Sequence, residues 1–482
     1  MPELLLNVTN MLIDHQVFEK ARRSRDPRFD GRFFVAVRTT GIYCRPICRV
    51  KLPKSENVTF FQTAAAAAEA GYRPCLRCRP EAAPGTPAWR GTSTTVSRAL
   101  RLISVGALDD QNVPQLCHRL GVTDRHLCRL FRHHLGTSPG AVAQTRRLQF
   151  AKKLIDESSL SMIEVAMAAG YGSVRRFNEH VKQIYGRAPG TLRKRSVVNE
   201  TGGLVITLPY REPFDFNALL AFFAARAIPL VEQVTGDEYS RSMKIMDTPA
   251  RISITDGEGG LVCRIVADSP LPLIDIAEKI KRLFDLDALP DEISDGLCRD
   301  TDLASLVGRS PGLRLPGAWD PFETAVRAIV GQQISVAAAT TVMGKIAQRF
   351  GTESPYGLLF PDPKQLSLLT EDELPMPKRR ATALRDLARA VHSGEVDFDS
   401  EPDDVRCSLL KIKGVGPWTA QYISMRALND PDAFPETDLV VLKAAQTHLQ
   451  VSGAVELLRR AENWRPWRSY ACMHLWAASV TT

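Results

Sequence analysis

Four cysteines fall in two close pairs, Cys44 and Cys48 in "GIYCRPICRV" and Cys75 and Cys78 in "GYRPCLRCRP", with 26 residues between the pairs. C-x3-C and C-x2-C across a domain-sized gap suit one tetrahedral zinc ion on four thiolates. Such a metal gives a small module folding energy that its own core cannot supply. Spacing by itself supports only this staple. A thiolate held on zinc nevertheless stays deprotonated, and thiolate is the nucleophilic form of cysteine. Four thiolates on one dication leave a net charge of about −2, so the sulfurs are electron-rich enough to take an alkyl group by displacement. Arg45, Arg49, Lys51, Arg73, Arg77 and Arg79 surround the pairs and suit a phosphate backbone.

A second constellation lies near the C-terminus. In "LLKIKGVGPWTAQYISMRAL" a helix ends near Ile412, Gly414-Val415-Gly416 turns, and Pro417 opens the next helix. Glycines before a proline at the first helical position suit a tight helix–hairpin–helix. The exposed N–H groups of such a loop, here around Lys413, Gly414, Val415 and Gly416, can bind a DNA phosphate without sequence preference. The same loop is equally a plain helix cap. Trp418 and Tyr422 are four apart and share a helix face. Asp438, in "DAFPETDLVVLK", lies 22 residues beyond Gly416, where another helix starts.

The elements that must carry these residues can be read coarsely. "PEAAPGTPAWRGTSTT" (80–95) and "SVVNETGG" (196–203) are inter-domain loops by composition. Between them the chain repeats itself at a spacing of 50 residues: Leu127 with Phe177, Gly136 with Gly186, Pro139 with Pro189, Gly140 with Gly190. Each copy follows a short helix and a glycine turn, the helix-turn-helix pattern. Recognition helices are expected to begin near Thr123 and Ser173. Arg125, His126 and Arg129 in the first, and Arg175, Arg176 and Asn178 in the second, then face DNA bases or phosphates. After Gly203, "LVITLPY", "SRSMKIM", "ARISITD" and "LVCRIVA" read as strands, and "FDFNALLAFFAARA" and "LIDIAEKIKRLF" as helices. From about 291 onward the pattern is nearly all helical.

Charge is unevenly spread. Residues 1–200 hold 32 Lys and Arg against 16 Asp and Glu; the remainder holds 30 against 38, which together give the chain its net +8. A polyanion is drawn to the first half, although a merely solvated basic face would look the same. No apolar run reaches the ~18 residues of a membrane span. The N-terminus lacks a basic stretch before its apolar one, so no secretory signal is expected. The six other cysteines form no disulfide framework, which reads as a reducing cytosol.

Three resemblances follow from these stretches. "FFVAVRTTGIYCRPICRV…AAGYRPCLRCRPE" closely resembles the N-terminal domain of the Ada family. That resemblance implies that Cys44 accepts a methyl group from a DNA methylphosphotriester, with Cys48, Cys75 and Cys78 as the other zinc ligands. It also implies that irreversible transfer removes negative charge and raises DNA affinity. Residues 96–195, with "EVAMAAGYGSVRRFNEHVKQIYGRAPGTLRK", resemble the AraC-type DNA-binding domain. Residues 204–482, with "DPFETAVRAIVGQQISVAAA", "KGVGPWTAQYISMRAL" and "WRPWRSYACMHLW", resemble 3-methyladenine DNA glycosylase II, the AlkA family.

The last resemblance implies Asp438 as the catalytic carboxylate and Trp418, Tyr422 and Trp476 as the base pocket. The family's apolar wedge falls on Gln333, with Ile334 as the alternative. Bifunctional relatives carry a lysine where Trp418 stands, so no lyase step is implied, and no cysteine set for an iron–sulfur cluster follows. The chemistry is consistent with these residues. A flipped N-alkylpurine is cationic, so stacking on indole gains about 0.5–2 kcal/mol. Its charge also weakens the glycosidic bond, and one carboxylate suffices to stabilise the sugar cation and orient water. "LCHRL" around Cys117 is like an alkylguanine acceptor motif, but no proline precedes the cysteine; Cys117 is read as core.

The expected architecture is multidomain and mainly α with α+β parts. A small zinc domain (1–85) precedes an AraC-type double helix-turn-helix (93–196), an α+β AlkA-type N-terminal domain (203–288) and an all-α helix–hairpin–helix glycosylase domain (289–482). The function expected is repair of alkylated DNA: monofunctional excision of N-alkylated purines, with an N-terminal methyl acceptor and regulator. The alternative is a methylation-responsive transcription regulator whose glycosylase-like half is inactive. One Zn2+, no organic cofactor, and double-stranded DNA with alkylated bases or methylphosphotriesters are expected. So are promoter DNA and RNA polymerase as partners, Arg45 and Arg49 on phosphate, a monomer, and a nucleoid-associated cytoplasmic location without membrane contact.

Overall fold

A computed structural model describes residues 15–80, 83, 94–109, 112–193 and 203–480. Most of the two expected linkers, 80–95 and 196–203, lies outside the described residues. The chain divides into two compact bodies, one of residues 1–209 with 270–278, the other of 210–269 with 279–482.

In the first body, strands β1 (Phe34–Val37), β2 (Ile42–Cys44), β3 (Val58–Phe61) and β4 (Arg73–Pro74) form a sheet in the order β3-β1-β2-β4. β1 pairs antiparallel with β2 and β3, and β2 pairs parallel with β4. Two small apolar clusters flank it, Phe33 and Val35 on one face and Phe34, Ala36 and Tyr43 on the other. That alternation is the period-two signature of a sheet packed on both faces. A core of this size is too small to be self-sufficient, which is why the cysteine centre at the end of β2 matters.

Helix α1 (Ala64–Glu69) follows, capped by Thr63, whose hydroxyl accepts from the Ala66 amide. Its alanines are buried, and small side chains permit close approach to the helices that follow. α2 (Thr94–Ser104), α3 (Val113–Leu120), α4 (Asp124–Leu135), α5 (Pro139–Glu157), α6 (Met162–Ala168) and α7 (Val174–Tyr185) make the paired helix-turn-helix region. The repeat is visible in the caps. Thr123 and Ser173 cap α4 and α7, and Gly136 and Gly186 end them at φ +68 and +68, a left-handed conformation that glycine adopts without a Cβ penalty. Leu127, Phe131 and Leu135 on α4, and Phe177, Val181 and Tyr185 on α7, are buried at helical spacing. Cys117 is 2% exposed in the first of these cores, and burial pushes its thiol up to about 12, as a core residue requires.

The zinc module and this helical region are joined within the one body. The Thr137 hydroxyl donates to Glu69 at 2.6 Å, the Thr63 hydroxyl to the Leu135 carbonyl at 3.4 Å, and Arg79 pairs with Asp156 at 3.0 Å. Strand β5 (Leu204–Leu208) also belongs to this body.

The second body contains an antiparallel meander, β6 (Glu232–Thr235), β7 (Glu238–Ile245), β8 (Thr248–Gly257) and β9 (Gly260–Ala267), with neighbours paired in register. The three expected strands after residue 235 are present; β6 is an addition, too polar and short for its pattern to show. Helix α8 (Phe216–Ala224) precedes them, capped by Asp215. The rest is helical among the described residues apart from a short antiparallel hairpin, Thr352–Ser354 with Gly357–Leu359. The parts that matter for the site are α9 (Pro321–Val330), α10 (Val336–Phe350), α11 (Lys378–Ser393), α12 (Pro402–Leu410), α13 (Pro417–Ala427), α14 (Leu439–Leu449) and α15 (Arg468–Val480). No helix among the described residues is long and apolar enough to cross a membrane.

Candidate functional site

The cysteine centre forms where β2 ends and the loop after β4 returns. The four sulfurs of Cys44, Cys48, Cys75 and Cys78 all lie within 4.8 Å of one another. Side-chain bonds from Cys48, Cys75 and Cys78 push the Cys44 thiol far up, while Cys75, accepting from Cys44, is held far down; Cys48, also accepting from Cys44, is lowered to about 7. Four sulfurs this close repel one another as thiolates. A dication resolves the conflict, and an all-sulfur tetrahedral donor set is the one zinc prefers. These residues form the site for one Zn2+.

Exposure does not single out the expected acceptor: Cys44, Cys48 and Cys75 are each 7% exposed, and Cys78 is the more open. Amide donors reach three of the sulfurs. The Arg45 N–H reaches the Cys78 sulfur at 3.4 Å. Behind the sulfur–sulfur interactions, N–H groups of Val50 and Cys78 draw down Cys48 and Cys75. Arg45 itself is engaged: its guanidinium grips Asp30 and donates to the Cys78 carbonyl at 3.2 Å. It shapes the loop, while Arg49 is exposed beside it.

On the helix-turn-helix pair, Arg125, Arg129, Arg175 and Arg176 are all exposed near the starts of α4 and α7. Arg129 touches the His126 ring at 3.0 Å and Arg175 pairs with Glu179 at 2.9 Å. Both contacts are at the surface and exchange readily for a phosphate or a base edge.

In the second body, Gly414 adopts φ +97 and starts the turn into α13. Lys413 is exposed and Val415 is 6% exposed, so the apolar residue anchors the loop and the charged one leaves it. Along α13, Trp418 and Tyr422 stack with centroids 5.4 Å apart and planes at 19°. Trp476 on α15 tilts against Tyr422 at 6.2 Å. Asp438 is the N-cap of α14 and accepts from the Val440 and Val441 amides, each at 3.0 Å on Oδ1. The Trp476 indole N–H donates to the same oxygen at 3.1 Å, and the Trp418 indole N–H to Oδ2 at 3.0 Å. Oδ1 is therefore saturated. Oδ2 carries one donor and keeps a lone pair open. Asp438, Trp418 and Trp476 are half-buried, and Tyr422 is 9% exposed. The half-buried carboxylate thus sits at the edge of an aromatic cluster rather than in packed interior.

Sequence reasoning missed the arginines packed behind these rings. Arg426 donates to the Tyr422 hydroxyl at 3.0 Å and to the Gly317 carbonyl at 3.1 Å. Burial alone would raise the Tyr422 phenol, but the guanidiniums of Arg426, Arg226 and Arg327 hold it below its ordinary value. Phe222 on α8 lies beneath two of them, 3.7 Å from Arg226 and 4.4 Å from Arg426. Phe222 on α8 and Arg226 just past its end lie some 200 residues before Trp418, and nothing in their local pattern marked them. A surplus arginine on the apolar "ISMRAL" helix was the one visible hint.

Comparison with known proteins follows this division. Residues 18–81 match the family described as the metal binding domain of Ada, 116–195 a helix-turn-helix domain, 205–320 the AlkA N-terminal domain, and 326–469 the HhH-GPD superfamily of base excision DNA repair proteins. The "probable bifunctional transcriptional activator/DNA repair enzyme AlkA" of Mycobacterium tuberculosis is 40% identical over 478 residues, 96% of each chain. The "DNA-3-methyladenine glycosylase 2" of Escherichia coli K12 is 33% identical over 281 residues, 56% of this chain and 96% of its own. A 3-methyladenine DNA-glycosylase structure from Archaeoglobus fulgidus superposes with a TM-score of 0.51 at 19% identity, over 57% of this chain and 98% of that one, a likeness of fold.

Proposed function

Because the chain belongs to the family of bifunctional transcriptional activator/DNA repair enzymes typified by its Mycobacterium tuberculosis relative, we propose that it repairs alkylated DNA by two chemistries. In the second body it acts as a 3-methyladenine-type DNA glycosylase. A cationic N-alkylpurine, turned out of the duplex, stacks on Trp418 and Trp476 with the attraction of a cation for an indole face. The C1′–N bond breaks with its electron pair going to the base, which leaves neutral. Asp438 Oδ2, with its open lone pair, faces the sugar cation and orients the water that adds at C1′. The two indole N–H groups and the helix start keep that carboxylate in place. The hairpin at Lys413–Gly416 grips a backbone phosphate nearby. No lysine amine stands at position 418, so the product is an abasic site with the strand intact.

In the first body, zinc when bound keeps the four sulfurs as thiolates. Cys44 is the methyl acceptor. Its sulfur attacks the methyl carbon of a phosphotriester, the S–C bond forms as the C–O bond breaks, and an ordinary phosphodiester leaves. The likeness to the Ada metal-binding domain supports this role for the first cysteine of the four, and an amide N–H that bonds a sulfur, as at Cys78, withdraws charge from it. Arg49, Arg125, Arg129, Arg175 and Arg176 hold the DNA, promoter DNA included, and the paired helix-turn-helix presents it to RNA polymerase. The protein acts as a monomer in the cytoplasm. The four modules expected from the sequence, 1–85, 93–196, 203–288 and 289–482, divide this labour.

The observation that carries the excision reading is a half-buried carboxylate held by two indole N–H groups beside stacked rings. An inactive glycosylase-like half, the rival, would have no need to keep one carboxylate oxygen open. Chromatography of bases freed from methylated duplex DNA tests it: 3-methyladenine and 7-methylguanine are expected, and their absence refutes excision. A mass gain of one methyl on Cys44 after exposure to methylphosphotriester DNA tests the transfer, and a methyl found on Cys78 instead refutes the assignment.

A further inference from the structure

Helices α14 and α15 supply more than Asp438 and Trp476. A groove of about 370 Å³ runs between them, lined by Val440, Lys443, Ala444, Thr447 and His448 of α14 and by Ser479 of α15. It opens beside the carboxylate. Val440, at one end of it, is the residue whose amide donates to Asp438 Oδ1 at 3.0 Å. On the other wall the Ser479 hydroxyl donates at 2.7 Å to the carbonyl of Trp476, whose indole N–H also reaches Asp438. At about 1.5 Å of rise per residue, Lys443 stands about 7.5 Å along the helix from Asp438.

The groove is one-sided in charge. Residues 201–482 hold fewer basic than acidic residues, 30 against 38, yet neither α14 nor α15 contains an aspartate or a glutamate. Lys443 is exposed, and among the described residues no carboxylate pairs with its ammonium. Val440 is an exposed apolar residue, and Ala444 lies beyond it in the groove. An unpaired cation beside apolar surface suits a sugar–phosphate backbone, in which a charged phosphate alternates with a weakly polar sugar. Excision gives such a grip a purpose. The hairpin at Lys413–Gly416 holds one phosphate, and a single grip leaves the sugar free to swing. A second grip on the helix that begins at Asp438 brings C1′ to that carboxylate and keeps it there.

We propose that the groove between α14 and α15 is a second backbone-phosphate subsite for the damaged strand, in which Lys443 is a positioning residue that pairs with one phosphate and so holds the flipped nucleotide's sugar against Asp438. The proposal rests on the excision reading, which places DNA over Asp438.

The test uses the full chain as wild type, Lys443→Gln and Lys443→Arg. Position 443 is exposed and all three residues favour a helix, so folding is conserved. Binding is measured to a duplex with a tetrahydrofuran abasic analogue, which needs no bond cleavage, and to copies in which one phosphate at a time near the analogue is a neutral methylphosphonate. In wild type one such position costs about tenfold in affinity; in Lys443→Gln, already about tenfold weaker, the same position costs less than about twofold. Lys443→Arg behaves as wild type, and Lys443→Gln lowers the salt slope of binding by about 0.9. Equal costs at every position in wild type and Lys443→Gln overturn the subsite. Single-turnover release of 7-methylguanine is followed in parallel and slows about tenfold in Lys443→Gln. Coupling to one phosphate with an unchanged release rate keeps the contact and refutes the hold on the sugar. A wild type that releases no base while one phosphate still couples to Lys443 refutes excision and keeps the subsite.

Discussion

Replacing Asp438 with asparagine separates the two roles its carboxylate plays. As a helix cap, asparagine is as good as aspartate, and its oxygen can keep the three donors that converge on Oδ1, from Val440, Val441 and Trp476. The amide nitrogen then faces the Trp418 indole N–H, so one hydrogen bond from 3.0 Å is lost. At a half-buried site that costs about 1 kcal/mol, a melting shift of about 2–4 °C for a domain of this size. Catalysis suffers more. A carboxylate about 4 Å from a unit positive charge at an effective dielectric constant of about 20 is worth about 4 kcal/mol. Losing it slows excision roughly a thousandfold. Single-turnover release of 7-methylguanine, with calorimetric melting of the same samples, measures both. A variant that keeps more than a tenth of the wild-type rate, or that melts more than 10 °C lower, refutes the reasoning: in the first case the charge is idle, in the second Asp438 is chiefly structural.

Three further outcomes are expected. Cys44→Ala abolishes methyl uptake from methylphosphotriester DNA, seen by intact mass, and leaves base release within about twofold, since Trp418, Asp438 and Trp476 belong to the other body. His474 is 5% exposed with Nδ1 unbonded, and burial lowers its pKa from 6.5 to about 4; the unfolded chain therefore protonates first, and stability present above pH 6.5 is lost as pH falls to about 4, by up to roughly 3 kcal/mol. Urea midpoints across that window should flatten in His474→Leu. A Cβ at Gly317 would lie 2.1 Å from the Arg282 carbonyl oxygen, and the Gly317 carbonyl also anchors Arg426. Gly317→Ala should therefore cost about 3 kcal/mol by denaturant unfolding and slow excision with it.

What could be read directly was whatever the chain settles over a few residues. The cysteine spacing requires a shared centre because a short loop between two thiols leaves them little choice. Thr123 and Ser173 start their helices, and Gly136 and Gly186 end them, because capping and left-handed turns depend on a residue and its immediate neighbours. The 50-residue repeat was legible for the same reason, and Trp418 and Tyr422 share a face by helical geometry alone.

Tertiary structure decided where long side chains end. Arg45, expected on phosphate, grips Asp30, and Arg79 reaches Asp156 on a helix that local sequence could not bring near. Phe222, Arg226 and Arg426 meet only because the fold brings two distant guanidiniums onto one ring. Two indoles aim at one oxygen pair because α15 returns beside α14. Composition sets which groups are available. The direction of each indole N–H arises from the packing of helices that are separate in sequence, and those directions decide that Asp438 keeps one lone pair free.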